Sequence, residues 1–328
     1  MNRVEKPEVI KKSNPVINYF NNNKGMLIGL LVVCVVISIL EPNFLKSKNL
    51  LNIMRSISIT GILGFGMTLC IIINGIDLAQ GSVIGFTSCL CAWLITNVGM
   101  PFPVAVLLAL CGGSLFGVFN GALLSTTALP PFVVTLATQL IARGGCYVIT
   151  RGNMINVAPE FGELGNGYLF GVIPLPVLYL IIIFIIMFLL LGHTKFGRCV
   201  YAIGGNKEAA RFTGINIKKV TWSVYAISGL LAAVCGIISC SRITTGQPTT
   251  GNAMEFDAVA ACYLGGISYL GGEGRIGSTL LGAIVLGVIA NAMSMLQIPW
   301  YVQNITKGCI ILIAVYADVV RKERGKSK

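Results

Sequence analysis

Few residues in this sequence have types that do covalent or metal chemistry, and they are not grouped in a pattern that supports it. The only histidine, His193, has no second histidine or neighbouring carboxylate, and Cys89-x-Cys91 lacks the further ligands of a zinc site. The sequence contains no Gly-x4-Gly-Lys-Ser/Thr loop to cradle phosphates. We therefore expect no catalytic residue and no metal ligand in this chain.

Polar side chains interrupt an otherwise apolar stretch between residues 57 and 92. An aspartate at the centre of a bilayer costs on the order of 3 kcal/mol, so Asp77 needs a partner, a cavity or the interface. In one interpretation the break lines a translocation path. In the other, Asp77 caps the helix that starts near Ser82 in a tight interfacial turn. The candidates for the path are Asn74, Gly75, Asp77, Gln80, Gly81 and Ser82.

A second polar segment lies between Ser241 and Asp257, one apolar segment beyond the basic loop described below. Its charged and amide side chains are candidates for contact with an external protein or an entering solute. A solvated loop that caps the next helix is the other interpretation. The external-face candidates are Arg242, Gln247, Glu255 and Asp257.

Composition identifies the elements that must position these residues. The chain is 55% hydrophobic and 11% charged, with a mean hydropathy of +0.82, whereas about one quarter of a soluble domain is charged. We expect an all-α polytopic membrane protein with about ten transmembrane segments, some of them short or broken. The segments are 26–40, 51–73, 81–98, 103–127, 131–149, 172–191, 220–240, 256–271, 277–295 and 299–318.

The net charge of +12 is concentrated in three places. Of the 24 Lys/Arg residues, 16 lie in 1–24, in 192–219 and in the tail from Arg321. Such clusters mark the cytoplasmic side of a membrane protein and can contact anionic lipids, so nucleic acid is not implied. We expect a cytoplasmic segment 1–25, a permease domain 26–318 with the cytoplasmic loop 192–219, and a cytoplasmic tail 319–328. The protein is expected in the cell (cytoplasmic or inner) membrane, which its apolar segments cross several times.

The loop 192–219 contains a predicted short helix, Asn206–Phe212, with Gly204-Gly205 before it and Gly214 as its C-terminal stop. A Gly-bounded helix in the largest cytoplasmic loop suggests a docking site for a partner.

Glu208-Ala209-Ala210, three residues and then Gly214 resemble the coupling-loop motif of ABC importer permeases. The wider pattern from Gly204 to Asn216 is similar to the branch that serves ribose and related monosaccharides, as are Gly75–Ser82 and Glu255–Ala261. The resemblance extends from about residue 50 to residue 318. It implies that the loop docks on a cytoplasmic ATPase through Gly205, Asn206, Glu208, Ala209, Ala210, Arg211 and Gly214.

The resemblance also implies a transport subunit rather than an enzyme, working by alternating access. We expect a second copy of the chain, an ATP-binding subunit that holds ATP and Mg²⁺, an extracytoplasmic sugar-binding protein and membrane lipids as partners, with no cofactor in this chain. The alternative is an ion-coupled secondary transporter or channel, which should show buried ionisable relays, although Asp77 is nearly alone in the apolar segments.

Internal repetition is a further hypothesis. Gly75–Ser82 loosely resembles Gly266–Ser278, and Pro130–Phe132 loosely resembles Pro299–Tyr301. The expected topology makes the first pair parallel and the second inverted, so both cannot belong to one simple repeat.

Overall fold

A computed structural model describes residues 24–326, and most of these residues are helical. The expected cytoplasmic segment 1–25 lies almost wholly outside the described residues. The α-helices are α1 (Lys24–Leu40), α2 (Ser47–Ile72), α3 (Gln80–Thr96), α4 (Phe102–Thr126), α5 (Pro131–Thr150), α6 (Glu163–Asn166), α7 (Leu175–His193), α8 (Lys195–Gly205), α9 (Lys207–Phe212), α10 (Ile217–Ile243), α11 (Met254–Leu264), α12 (Ile276–Met295) and α13 (Trp300–Lys326).

Two small antiparallel ribbons and one 3₁₀ turn, Pro159–Gly162, complete the described secondary structure. Strand β1 (Ile155–Asn156) pairs with β4 (Thr245–Gly246), and β2 (Tyr168–Leu169) forms a hairpin with β3 (Ile173–Pro174). The all-α fold class is confirmed, because these ribbons are minor connections between helices.

Each of the ten expected segments contains a helix, but not each helix is long enough to cross a bilayer. By length and composition, seven helices of the described part qualify, namely α2, α4, α5, α7, α10, α12 and α13. The apolar part of α1 and the whole of α3 are shorter, and α11 has only 11 residues. The expectation that some segments are short holds for 26–40 and 256–271. The count of ten crossings stays a prediction.

The core is built around α2 and α10, the two most buried of the long apolar helices. Helix α10 packs against α4 at close range, because glycines face each other there. A Cβ built on Gly229 would lie 2.6 Å from the Cα of Gly117, and a Cβ on Gly121 would lie 2.6 Å from the carbonyl oxygen of Trp222. Small residues permit such backbone approach between membrane helices, where dispersion contacts drive packing.

Two sets of four helices have matching contacts. Helix α2 packs against α11 and α12, as α10 packs against α3 and α4, and α5 lies on α3 as α13 lies on α11. The sets α2–α5 and α10–α13 are therefore counterparts. The likeness of Pro130–Phe132 to Pro299–Tyr301 follows this correspondence, since these segments open α5 and α13. The likeness of Gly75–Ser82 to Gly266–Ser278 does not, because these breaks follow the first and the second helix of their sets.

The hairpin β2–β3 and the helices α8–α9 lie at opposite ends of α2. Arg55, in the first half of α2, donates to the carbonyl of Asn166 at 3.3 Å and lies 5.0 Å from the ring centre of Tyr168. At the other end, Asn74 donates to the carbonyl of Gly204 at 3.0 Å. Helix α2 has 26 residues and is about 39 Å long at 1.5 Å per residue, so these ends are a membrane thickness apart.

Candidate functional site

The basic loop folds as the pair α8–α9, and its short helix has well-formed ends. The side chain of Asn206 accepts from the backbone N–H of Ala209 at 2.9 Å and caps α9. At the other end Gly214 has φ +82°, and the N–H of Ile215 donates to the carbonyl of Ala210 at 3.1 Å. This is the Schellman arrangement that a glycine favours. The structure therefore has the predicted short helix, which begins one residue later than expected, at Lys207, with Asn206 as its cap, and which stops at Gly214 as expected.

The faces of α9 differ from the expectation. We expected Ala209 and Ala210 both to allow close approach of a partner. Ala210 is instead 4% exposed and belongs to the main apolar core, so its small size serves contact with this chain's own helices. Ala209 is exposed.

Phe212 was not among the sequence candidates, although its side chain is 88% exposed. An aromatic ring in a short helix of otherwise charged and small residues was the signal that could have identified it. Ala209 and Phe212 lie three positions apart and thus on one side of α9. The outward surface of α9 has an apolar pair bordered by Lys207, Glu208 and Arg211.

The α8–α9 pair is fixed to the helical body at two Gly-rich breaks, residues 74–82 after α2 and residues 266–278 after α11. The N–H of Gly272 donates to the carbonyl of Ile72 at 2.9 Å, next to Asn74 and its bond to Gly204. The hydroxyl of Tyr201, on α8, donates to the carbonyl of Gly274 at 2.6 Å. Burial raises the pKa of the Tyr201 phenol, which keeps it a neutral donor. Movement of α8 is therefore coupled to the C-terminal end of α2 and to the break after α11.

A cavity of about 790 Å³ separates α9 from the connector between α4 and α5. Lys207, Glu208 and Arg211 line one side, and Pro130 and Pro131 line the other. Asn74 and Gly75, from the first polar break, also reach this cavity. The loop helix and the start of α5 thus share one open space.

The first polar break is mostly closed off within the chain. Asp77, Gln80 and Ser82 are buried, as is Gly81, whereas Asn74 is exposed and Gly75 partly so. Oδ1 of Asp77 accepts from the N–H of Ala79 at 3.2 Å, just before α3 begins. This bond closes a turn two residues long ahead of α3, and no side chain caps the first turn of α3 itself. A role of these residues in a translocation path stays a prediction.

The remaining contacts of Asp77 form a short chain of hydrogen bonds. The amide of Gln80 donates to the hydroxyl of Ser228 at 2.9 Å, and that hydroxyl donates to Oδ2 of Asp77 at 2.6 Å. Ser228 belongs to α10, which is how a buried carboxylate between α2 and α3 obtains its polar partner. Ser228 was not among the candidates from the sequence, because a single serine in a long apolar helix has no local signal of such a role.

The external-face candidates occupy different environments. Arg242 and Gln247 are partly buried at the end of α10 and in the loop before α11. The side chain of Asp257 pairs with Lys307 of α13 at 2.8 Å. Glu255 is 1% exposed within this chain and its Oε1 accepts from the amide of Gln139 at 2.8 Å, and a role at the external face stays a prediction.

Arg143 of α5 is also bonded within the chain. Its guanidinium points inward and donates to the carbonyl oxygens of Thr250 at 2.8 Å, of Gly81 at 3.3 Å and of Pro248. Three backbone acceptors from two segments thus hold one arginine of α5.

Within residues 24–326, no group of three or more His, Cys, Asp or Glu side chains could hold a metal ion. The polar residues described above position helices and cap their ends. The apolar helices packed around polar breaks, with a two-helix loop fixed to one end, define an all-helical integral membrane protein.

A family profile described as "Branched-chain amino acid transport system / permease component" matches residues 49–315. The chain belongs to this permease family, which confirms the resemblance noted from its motifs, and it is a transport subunit rather than an enzyme.

Three curated relatives illustrate the similarity. The ribose import permease protein RbsC of Bacillus subtilis (strain 168) is 40% identical over 297 residues, which cover 90% of this chain and 92% of the relative. RbsC of Haemophilus influenzae is 37% identical over 311 residues, or 93% and 96% of the two chains. The xylose transport system permease protein XylH of Escherichia coli (strain K12) is 30% identical over 387 residues, or 97% and 98%. No solved structure matches the chain.

Proposed function

We propose that this chain is the membrane subunit of an ATP-driven importer for a pentose or a related monosaccharide. The observation that carries the proposal is the α8–α9 loop, which is bonded to both Gly-rich breaks of the helical body and exposes Ala209 and Phe212 on α9. The relatives named for ribose and xylose support the sugar class over the amino acids in the family description.

In this proposal α9 docks on a cytoplasmic ATPase that binds ATP and Mg²⁺, and two copies of the chain are needed because a two-site ATPase needs two docking loops. An extracytoplasmic sugar-binding protein delivers the substrate to the end that carries β2–β3. Both termini and the α8–α9 loop are cytoplasmic, and lipids surround the exposed apolar helices. Closure of the ATPase pair moves α9, and alternating access follows from movement of the helices bonded to it.

Reconstitution tests this proposal directly. The chain is placed in proteoliposomes with the ATPase and binding protein encoded beside its gene, and uptake of labelled ribose and xylose is measured with ATP inside. We expect uptake only when both partners are present, and none when the ATPase has a hydrolysis-deficient site. Uptake by the chain alone that an ionophore abolishes would instead support the ion-coupled alternative.

A further inference from the structure

Helix α5 is held to the body by polar contacts on one face. Gln139 and Arg143 lie one turn apart on α5 and therefore on the same side of it. Both side chains are partly buried, whereas the outward side of α5 is apolar and includes Leu140 and Val148 at 69% and 79% exposure.

The partner of this face is the start of α11 together with the loop before it. Gln139 donates to Oε1 of Glu255, and Arg143 donates to the backbone of the loop and to Gly81. Oε2 of Glu255 has no hydrogen-bond partner among the described residues. It lies so close to Gly81 that a Cβ there would meet it at 1.9 Å. Glu255 is thus packed between α3 and α5 with half of its carboxylate unpaired.

The second acid of α11 holds a different helix. Asp257 pairs with Lys307 of α13, with Nζ at 2.8 Å from Oδ1 and 3.0 Å from Oδ2. Residues two positions apart on a helix point about 200° apart, so Glu255 and Asp257 face opposite sides of α11. One acid engages α5 and the other engages α13. These two helices are counterparts in the matched sets, and both are largely exposed.

Polar contacts of this kind have a particular weight in a bilayer. An apolar helix face gains little by leaving lipid for another apolar face, so hydrogen bonds and close packing decide where an outer helix sits. The bonds of Gln139 and Arg143 form in one register of α5 only. A displaced α5 loses them as a group, so its positions are discrete rather than continuous.

We propose that Glu255 is a positioning residue that, with Gln139 and Arg143, holds α5 in its resting place, and that this contact opens and closes during transport. Asp257 and Lys307 hold α13 in the same way, so that α11 anchors both outer helices through its two acids. The proposal rests on the proposed function for its place in the cycle. Its link to the ATPase is the cavity shared by α9 and the start of α5, where Pro130 precedes the helix and Pro131 is its first residue.

The test separates loss of the contact from loss of the fold. Gln139→Leu removes the donor at similar volume, and Gln139→Asn keeps the amide but is too short to reach Glu255. The exchange Gln139→Glu with Glu255→Gln restores one hydrogen bond with donor and acceptor swapped. Gln303→Leu on α13 is the matched control, because its amide donates to the carbonyl of Ile298 just before its own helix.

Two measurements are made on the complex in nanodiscs. The first is ATP hydrolysis without binding protein. The second is the distance between probes on noncanonical amino acids at Val148 on α5 and Leu230 on α10, both exposed; this chemistry avoids the eleven native cysteines. We expect both single variants at residue 139 to raise unstimulated hydrolysis about tenfold, as loss of a bond to a charged group predicts, and to broaden the distance distribution. The exchange variant and the control should resemble the wild type.

Unchanged distances and unchanged hydrolysis in the Gln139→Asn variant would overturn the proposal. So would an exchange variant that behaves like the single variants while the protein stays folded. The distance measurement needs only the permease. It therefore tests the contact between α5 and α11 even if the complex neither hydrolyses ATP nor carries a sugar. A complex that neither hydrolyses ATP nor carries a sugar would count against the proposed function instead.

Discussion

The hydroxyl of Ser228 donates to Oδ2 of Asp77 across 2.6 Å and joins α10 to the break between α2 and α3. The same hydroxyl accepts from Gln80 at 2.9 Å, so one serine serves both polar side chains of the break. All three residues are at most 1% exposed. A carboxylate is kept at this depth because α10 supplies a donor that neither α2 nor α3 offers.

Removing that donor should destabilise the chain. Ser228→Ala leaves a buried carboxylate oxygen of Asp77 without its donor and leaves the amide of Gln80 with only the carbonyl of Leu63 at 3.3 Å. We expect a loss of about 2 kcal/mol in the free energy of unfolding. The measurement is thermal unfolding in detergent. Ser223→Ala is the matched control on the same helix, because Ser223 is partly exposed and its hydroxyl donates only to the carbonyl of Lys219 within its own helix. Equal midpoints for the two variants would refute the role of Ser228.

The glycine contact between α4 and α10 should be sensitive to a single methyl group. In Gly229→Ala the new Cβ meets the backbone of Gly117 at 2.6 Å, which no rotamer change can relieve. We expect the helices to separate and the free energy of unfolding to fall by about 1–3 kcal/mol. Gly144→Ala on α5 is the control, since its Cβ meets nothing within 4 Å. Chemical unfolding in mixed micelles measures both, and a stable Gly229→Ala variant would contradict the packing argument.

Local features of this chain were predictable from sequence, and long-range partners were not. The short helix was predicted as Asn206–Phe212 and is Lys207–Phe212, because its composition and its stop at Gly214 act within a few residues. The burial of Glu255 could not be predicted because its donor, Gln139, is 116 positions away. A polar segment after an apolar run has the same composition whether it faces water or a buried amide, so only the packing of α5 on α11 distinguishes the two.

The segment 256–271 shows a related limit. Its composition suggested a span, but α11 ends at Leu264, and the following Gly266 has φ +80°. The N–H of Ile267 then donates to the carbonyl of Cys262 at 3.0 Å, which closes the helix end. Glycines in an apolar run are compatible with close packing or with a stop, and hydropathy does not separate these roles.

The two ends of α2 should lie on opposite sides of the membrane. Phe170, at the tip of the β2–β3 hairpin, is 90% exposed, and Lys207 on α9 is exposed as well. With a clickable amino acid at either position, a membrane-impermeant dye should label residue 170 in intact cells and residue 207 only after permeabilisation. Labelling of residue 207 in intact cells would reverse the proposed orientation.

Gly214 should tolerate asparagine better than valine. Its φ of +82° is a left-handed conformation, and a Cβ there meets nothing within 4 Å, so the cost of substitution is conformational. Asparagine adopts this region several-fold more often than other residues, whereas a β-branched side chain is strained in it. We expect Gly214→Val to lose most of its co-purifying ATPase and Gly214→Asn to retain it, at equal membrane abundance. Equal retention by both variants would show that the conformation of residue 214 does not matter for docking.

Substitutions of the two alanines of α9 should have different effects, because Ala209 is exposed and Ala210 is buried. Ala210 is buried in the core, so Ala210→Glu places an unpaired charge among apolar side chains and should reduce the amount of folded protein. Ala209 and Phe212 are exposed, so Ala209→Glu and Phe212→Ala should leave the unfolding midpoint unchanged while removing the ATPase from the complex. Lys207→Ala, on the same helix, is the control for a general change in surface. Size-exclusion chromatography of the permease alone reports folding, and co-purification of the ATPase reports docking. If Phe212→Ala and Ala209→Glu both retained the ATPase at the wild-type ratio, the exposed face of α9 would not be the docking surface, and the importer assignment would lose the observation that carries it.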